Sequence, residues 1–194
     1  MTTKAVIRKE VRELVRTISS EQRALASRQA CALLEQQADW QNAKSIFFYA
    51  PLSEELDLWP LVQDSLSAGK IVCLPRFDPA TNRYIACQIQ SLAADISIGK
   101  FGVREPGESC VMVPLNRLDL ILVPGVAFNL RGHRLGRGKG FYDQLLVDAS
   151  GIKCGVAFDE QIITEIPIEP HDVLVNRILT PTRWIEPQTA PVLE

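Results

Sequence analysis

Histidine is nearly missing from this chain: His133 and His171 are the only two among 194 residues. A nucleophilic triad has little to draw on, and the GxSxG elbow is absent as well. The five cysteines are odd in number, widely spaced and never in a CxxC pair, so neither a zinc knuckle nor a redox pair is signalled. Those in apolar runs read as buried thiols. No stretch reaches about 18 apolar residues, and the start MTTKAVIRKEV carries no apolar signal region, which leads to the expectation of a soluble, cytoplasmic, membrane-free protein. Net charge is only −2, which argues against a general nucleic-acid-binding face. Neither an internal repeat nor a long linker is visible, so residues 1–194 are expected to form one domain, fraying over about 187–194.

What is concentrated is glycine and positive charge, in RGHRLGRGKGFYD (Arg131–Asp143). Arg131, Arg134, Arg137 and Lys139 occur with no acid before Asp143, interleaved with Gly132, Gly136, Gly138 and Gly140. Cations ~7 Å apart repel by about 0.6 kcal/mol per pair in water, and by more where water is excluded. Glycines let the backbone take positive φ and bring its N–H groups against a ligand. An apolar run, Leu118–Pro124, precedes the loop, and Phe141, Tyr142, Leu145 and Leu146 follow at helical spacing. A strand, a Gly/Arg/Lys loop and a helix start form a phosphate-holding arrangement, although a solvated basic loop has the same composition. The loop is neither a Walker A nor a GxGxxG dinucleotide motif. His133 lies inside the basic run, where like charge depresses its pKa.

In chain order, a helix is expected over residues 3–16 with an apolar stripe of Val6, Val11, Leu14, Val15 and Ile18; Lys4, Arg8 and Arg12 share the other face. A capping box at Ser19–Gln22 starts a second helix reaching about Gln37, with Leu25, Ala32, Leu33 and Leu34 inward. SIFFYA (45–50) is a buried strand, and Glu54, Glu55 and Asp57 follow at its carboxyl end, where ligands bind in open parallel sheets. Equally, those acids suit the start of the next helix, residues 56–68. IVCLP (71–75) is a second buried strand with Arg76 just past its end, and 84–89 a third. Residues 92–107 read as irregular, with Phe101 either a plug on the core or a stacking platform. A further strand is expected over 152–158, a short helix or turn over 159–163, a proline-rich loop over 166–173 and one last strand over 177–185. Strands alternating with helices give an α/β class with a mainly parallel sheet.

VPGVAFNLRGHRLGRGKGFYDQLL closely resembles the motif of the 5-formyltetrahydrofolate cyclo-ligase (5,10-methenyltetrahydrofolate synthetase) family. The resemblance extends to Lys4 and Arg8, to a Glu after the first strand, to LPR at Arg76 and to PHD…ILTPTRWI, nearly the whole chain. Phe141 stands where the family usually has Tyr, and Asn129 and Asn176 stand where Asp is common.

This resemblance implies a Rossmann-like three-layer α/β/α fold. It implies ATP-dependent closure of 5-formyltetrahydrofolate to 5,10-methenyltetrahydrofolate, with ADP and phosphate released. Arg134, Arg137, Lys139 and Tyr142 are then the catalytic candidates. Lys4 and Arg8 would contact ATP, together with Arg134, Leu135, Gly136, Arg137, Gly138, Lys139, Gly140, Phe141 and Tyr142 of the loop and the helix start. Ala50, Glu55, Phe101, Arg137, Phe141 and Tyr142 would face the folate. Mg²⁺ is expected on Asp143 and Asp172, with Asn176 removing a further acid near it. The expected partners are these small molecules, bound by a monomer. A non-catalytic phosphosugar or nucleotide-binding regulator is the main rival, and a sugar-phosphate isomerase a third reading.

Overall fold

A computed structural model describes residues 3–99 and 101–187. The expected fraying thus falls, except for Pro187, outside the described residues. Helix α1 (Lys4–Arg16) is capped by Thr3, whose hydroxyl accepts from the Val6 N–H. Its buried face is Ile7, Val11 and Val15, while Val6 and Leu14 are exposed. The i, i+4, i+8 row beginning at Ile7 meets the core, one position away from the expected start of the stripe. In α2 (Ser20–Glu35), Ser19 and Gln22 form the capping box. Its buried side is Ser27, Ala30, Cys31 and Leu34, with Leu25 and Ala32 exposed instead of inward. A separate short helix, α3 (Ala38–Asn42), buries Trp40.

Strand β1 (Ser45–Phe47) is buried throughout, and the extended chain stays buried to Ala50. Then come α4 (Trp59–Ser67), β2 (Ile71–Asp78) and β3 (Arg83–Ile89). The segment expected to be irregular holds a short helix α5 (Leu92–Asp95) and a hairpin of β4 (Ile96–Ile98) with β5 (Arg104–Pro106). Next follow β6 (Leu120–Pro124), a small hairpin of β7 (Ala127–Phe128) and β8 (Arg134–Leu135), α6 (Phe141–Leu146) and β9 (Ile152–Val156). The expected last strand is two, β10 (Arg177–Leu179) and β11 (Trp184–Ile185), paired antiparallel across a tight turn at 180–183.

The main sheet has seven strands in the order β11-β10-β9-β6-β1-β2-β3. Its inner pairings, β10–β9, β9–β6, β6–β1 and β1–β2, are parallel, and both outer pairings are antiparallel. Ile46, Phe47, Leu120, Ile121, Leu122 and Val123 are fully buried, as continuous apolar runs in a two-sided sheet require. Truncating such a side chain, Phe47→Ala for example, costs about 3–5 kcal/mol. The Phe128 ring lies over Gly125 and Gly155; a Cβ on Gly155 would stand 2.3 Å from it. Among the described residues no helix is long and apolar enough to cross a membrane, and all five cysteines are free thiols.

β1 leads to β2 on one side, and β6 leads to β9 on the other. The crevice beyond the carboxyl ends of β1 and β6 is therefore the switch point of this sheet, the place where open α/β sheets bind ligands.

Candidate active site

A cavity of about 280 Å³ occupies that crevice. Ala50 and Glu55 line it from beyond β1, Pro124 and Gly125 from the end of β6, and Arg134, Gly136, Arg137, Lys139 and the run from Gly140 to Asp143 from the glycine-rich segment. The β4–β5 hairpin closes another side with Phe101, Val103 and Glu105.

In the loop, Gly132, Gly138 and Gly140 have φ of 85°, 105° and 67°, values that L side chains take only at a cost. Gly136 does not share this backbone. A Cβ there would lie 3.0 Å from the Arg134 guanidinium, a tight approach that would oblige that side chain to give by a few tenths of an ångström. Helix α6 has only six residues and Gly140 as an N-cap without a side-chain bond. Its dipole is correspondingly slight, so an anion here would be held by cations and loop N–H groups more than by the helix start the sequence pointed to.

The four loop cations are used differently. Arg134 is buried, donating to Asp143 Oδ1 at 2.6 Å and to the Pro124 carbonyl at 3.3 Å, with its guanidinium 5.7 Å from the Tyr142 ring centroid. Arg137 is exposed and reaches Glu55 Oε1 at 3.0 Å. Lys139 is exposed and holds its ammonium 4.6 Å over the Phe101 ring. Arg131 is exposed but does not line the cavity.

Lys4 and Arg8 are drawn to the same neighbourhood from the far end of the chain. Arg8 Nε donates to the Gly136 carbonyl at 2.8 Å. A lysine in the first turn of a helix opposes the dipole, and Lys4 is compensated by Asp172 at 2.8 Å and Glu169 at 3.1 Å. Burial alone would lower the Lys4 pKa, but the hydrogen bonds to these two carboxylates carry it above 10.5. For Asp172, burial is again the largest influence and acts to raise it; the Lys4 bond, the Glu169 N–H and the nearby charges outweigh that and hold it below 3.8.

Glu55 is fixed by its own turn: Oε2 accepts from the Leu52 N–H at 3.0 Å, and the buried Tyr49 hydroxyl donates to the next carbonyl, Leu56, at 2.7 Å. Its neighbour Glu54 points to Arg16 at 3.5 Å. Phe77, Tyr84, Phe101 and Phe141 form an edge-to-face cluster with centroids 5.0–5.9 Å apart for its perpendicular pairs. Tyr142 stands beside them; burial first, then the Glu55 charge, raises its phenol far above 10, so near neutral pH it is a hydrogen-bond donor and not a base. Burial likewise pushes the Tyr84 phenol up to about 12, assisted by the Glu105 charge.

The carboxylates expected to hold a metal differ in setting. Asp143 lines the cavity with Oδ1 on Arg134. Asp172 does not line it, and its Oδ2 already takes both Lys4 Nζ and the Glu169 N–H. Glu169, His171 and Asp172 cluster closely enough to chelate, but the Lys4 ammonium sits among them. Asn176 is not near this region in the way expected. It pairs with Lys153 through backbone and side chain, at the amino ends of β9 and β10, opposite the cavity. Asn129 caps its own turn, Oδ1 accepting from the Arg131 and His133 N–H groups. The His133 pKa is lowered as expected, but burial is the leading cause, ahead of Arg131.

Several site groups had no motif to announce them. Glu105 sits on a three-residue strand with no distinctive spacing, and Tyr84 lies near the start of β3, an expected strand in which nothing singled it out. Arg76, expected beyond its strand, lies inside β2 and donates to the carbonyls of Gly107, Glu108 and Cys110. It thereby supports the chain that leaves the hairpin. On the hairpin itself, the Arg104 guanidinium lies 4.0 Å from the ring centroid of Trp59 on α4.

Comparison with known proteins adds to this geometry. The model of the 5-formyltetrahydrofolate cyclo-ligase family matches residues 1–181. The 5-formyltetrahydrofolate cyclo-ligase of Mus musculus is 30% identical over 184 residues, covering 89% of this chain and 91% of that protein. The Haemophilus influenzae protein of the same name is 33% identical over 180 residues, covering 89% and 96%. In three dimensions the chain is similar to the 5,10-methenyltetrahydrofolate synthetase of Aquifex aeolicus, with a TM-score of 0.87, 33% identity, and 98% and 96% of the two chains covered. The Mycoplasma pneumoniae synthetase shares the fold at a TM-score of 0.74 and 21% identity.

Proposed function

The chain belongs to the 5-formyltetrahydrofolate cyclo-ligase family, whose members convert 5-formyltetrahydrofolate to 5,10-methenyltetrahydrofolate, and from that premise we propose that this protein does so at the expense of ATP in the β1/β6 cavity. The formyl oxygen attacks the γ-phosphorus of ATP and ADP departs. Nitrogen 10 of the same folate then adds to the activated carbon, loses its proton, and the C–O bond to phosphate breaks. An amide-type oxygen leaves poorly, and phosphorylation supplies a good leaving group.

Arg137 and Lys139 are the exposed cations facing the cavity, and neutralise charge on the phosphoryl group as it transfers. Arg8 holds the backbone at Gly136 so that the loop, including Leu135 and Gly138, presents its N–H groups to the phosphates. Arg134 stiffens the wall through Asp143. Glu55 takes a polar edge of the pterin, and Phe101, Phe141 and Tyr142 pack along the ring beside Ala50. Among the described residues Asp143 keeps Oδ2 without a protein hydrogen bond in the cavity wall, and it would hold a Mg²⁺, which would supply positive charge against the phosphates. Asp172, with Lys4 on it, is read as the anchor of α1.

The observation that carries this reading is the meeting, around one cavity, of the exposed loop cations Arg137 and Lys139 with an aromatic wall. A phosphosugar sensor calls for the cations but not for the wall. The test is incubation with ATP, Mg²⁺ and 5-formyltetrahydrofolate, following the near-UV absorbance of the methenyl product and release of ADP. A folded protein giving neither overturns the proposal.

A further inference from the structure

Glu105 has no role in the reaction as laid out above, yet its setting is unusual. The residue is 4% exposed and sits in the cavity wall on β5. Its Oε2 accepts from the Phe77 N–H at 3.1 Å. Its Oε1 is buried with no hydrogen-bond partner, and among the described residues no other buried carboxyl oxygen is left so. Buried acceptors without partners carry the full cost of lost water, and native proteins keep few of them. A second unpartnered buried atom, Arg134 Nε, belongs to the same cavity wall. Two of the four unpartnered buried side-chain atoms among the described residues thus belong to this wall, the other two, Ser65 Oγ and His133 Nδ1, lying outside it.

The surroundings keep Glu105 in place and its outer oxygen without a partner. Phe77 and Tyr84, neighbours across β2 and β3, bring the Phe77 N–H to one oxygen and an aromatic wall alongside. Above the carboxylate lies Gly99: a Cβ there would fall 2.3 Å from the carboxyl carbon and 2.5–2.6 Å from its oxygens. Any side chain at position 99 would push Glu105 out of this pose. Glu55, by contrast, has Oε1 on Arg137 and Oε2 on the Leu52 N–H. Of the two cavity glutamates, Glu105 has the oxygen with nothing to accept from.

We infer that Glu105 is a second substrate-binding carboxylate, whose Oε1 accepts a hydrogen bond from a ring N–H or amino group of the reduced pterin; this rests on the folate reading of the site. It fixes the pterin at the hairpin side of the cavity, while Glu55 and Arg137 act on the loop side. An analogue with no donor at that edge leaves the oxygen unmet and is disfavoured, so the residue also contributes to specificity.

Glu105→Gln tests this, because it keeps the side-chain volume and an acceptor for the Phe77 N–H but turns a donor toward the pterin. The KM for 5-formyltetrahydrofolate is expected to rise about 10-fold or more, with the KM for ATP within about twofold of wild type. The melting temperature without ligand stays level or rises, and the increase produced by 5-formyltetrahydrofolate alone is lost. Glu105→Asp, which withdraws the carboxylate by one methylene, and Gly99→Ala, which displaces it with its charge intact, give the same selective loss and stand in if the Gln variant does not fold. Unchanged folate binding in these variants overturns the inference. So does an equal loss for ATP and folate with a lowered ligand-free melting temperature, which marks a structural residue. A wild-type protein that takes no 5-formyltetrahydrofolate overturns both this and the folate reading, whereas a wild type and a Glu105→Gln that bind it equally overturn this one alone.

Discussion

Arg137 and Glu55, 82 residues apart in sequence, meet at 3.0 Å in the wall of the cavity, so the cation proposed for the phosphoryl group is held by the carboxylate proposed for the pterin. From the sequence, Glu55 is assigned to the folate and Arg137 to both ATP and the folate. Their contact makes the two substrate sites share a part.

Kinetics of a double-mutant cycle check the coupling. Arg137→Ala is expected to lower kcat on the order of 10²-fold, since a cation aimed at the transferring group acts in the transition state. Glu55→Ala should weaken folate about 10- to 100-fold and also raise the KM for ATP severalfold, because Arg137 loses its anchor. The double variant should lose less than the product of the two single losses. Factors that simply multiply would show the pair to be incidental. Glu54→Ala is the control: its contact with Arg16 is an exposed pair at 3.5 Å, of a kind contributing about 0–1 kcal/mol, and the variant should be near neutral.

Asp143 separates stability from metal use. Its partner Arg134 has a side chain only 2% exposed, and removing one member of a buried pair typically costs about 3–5 kcal/mol. Asp143→Ala should therefore lower the urea midpoint strongly. Asp143→Asn, which retains an acceptor for Arg134, should lower it less while shifting the Mg²⁺ requirement upward. Asp172→Asn should disturb ATP binding through Lys4 with a smaller change in Mg²⁺ dependence. An unchanged requirement in both Asn variants would mean that the ion rests on ATP alone.

The Lys4–Asp172 tether has a defined pH window. Asp172 titrates below 3.8 in the folded chain, so its contribution is full above that value and disappears as pH falls through the lowered pKa. Lys4 titrates above 10.5, so its contribution is full below that value and fades as pH rises through the raised pKa. Carboxyl NMR titration should find the Asp172 pKa moving upward in Lys4→Ala, since burial then acts without its main counterweight. A value that does not move would break the assignment of the tether.

Gly155→Ala and Gly69→Ala distinguish two reasons for a glycine. At Gly155 a methyl would enter the Phe128 ring, and overpacking of this kind costs about 1–3 kcal/mol; Phe128→Leu in the same chain should recover part of it. Gly69 has open space but a φ of 74°, so its Ala variant should cost only about 1 kcal/mol, with no second-site rescue through packing. Chemical denaturation measures both, and a neutral Gly155→Ala would contradict the packing described.

The inner strands were legible because a strand buried on both faces must be apolar throughout, as in Ile46–Phe48 and Leu120–Val123. Glu55 could be found from its place after such a strand, and Arg134–Asp143 from its charge and glycine. The three-residue strands of the β4–β5 hairpin are too short to show alternation, and with them Glu105 stayed hidden. Helix faces failed where apolar residues outnumber the places inside: Val6 and Leu25 are as apolar as Ile7 and Leu34, and only packing decides between them. Asn176 lies a few residues from Asp172 in sequence but beside Lys153 at the opposite end of the sheet, because the chain crosses from one end to the other over 172–176. Spacing along the chain does not carry that reversal.

The Arg104 guanidinium over the Trp59 indole gives the protein an optical gauge. Indole emission responds to a charge on its face, and the other two tryptophans, Trp40 and Trp184, lie on α3 and β11. Trp59 is thus the fluorophore that touches the hairpin carrying Phe101 and Glu105. Any displacement of that hairpin when ligands enter should register as a change in its spectrum, without a label, and should vanish in Arg104→Ala.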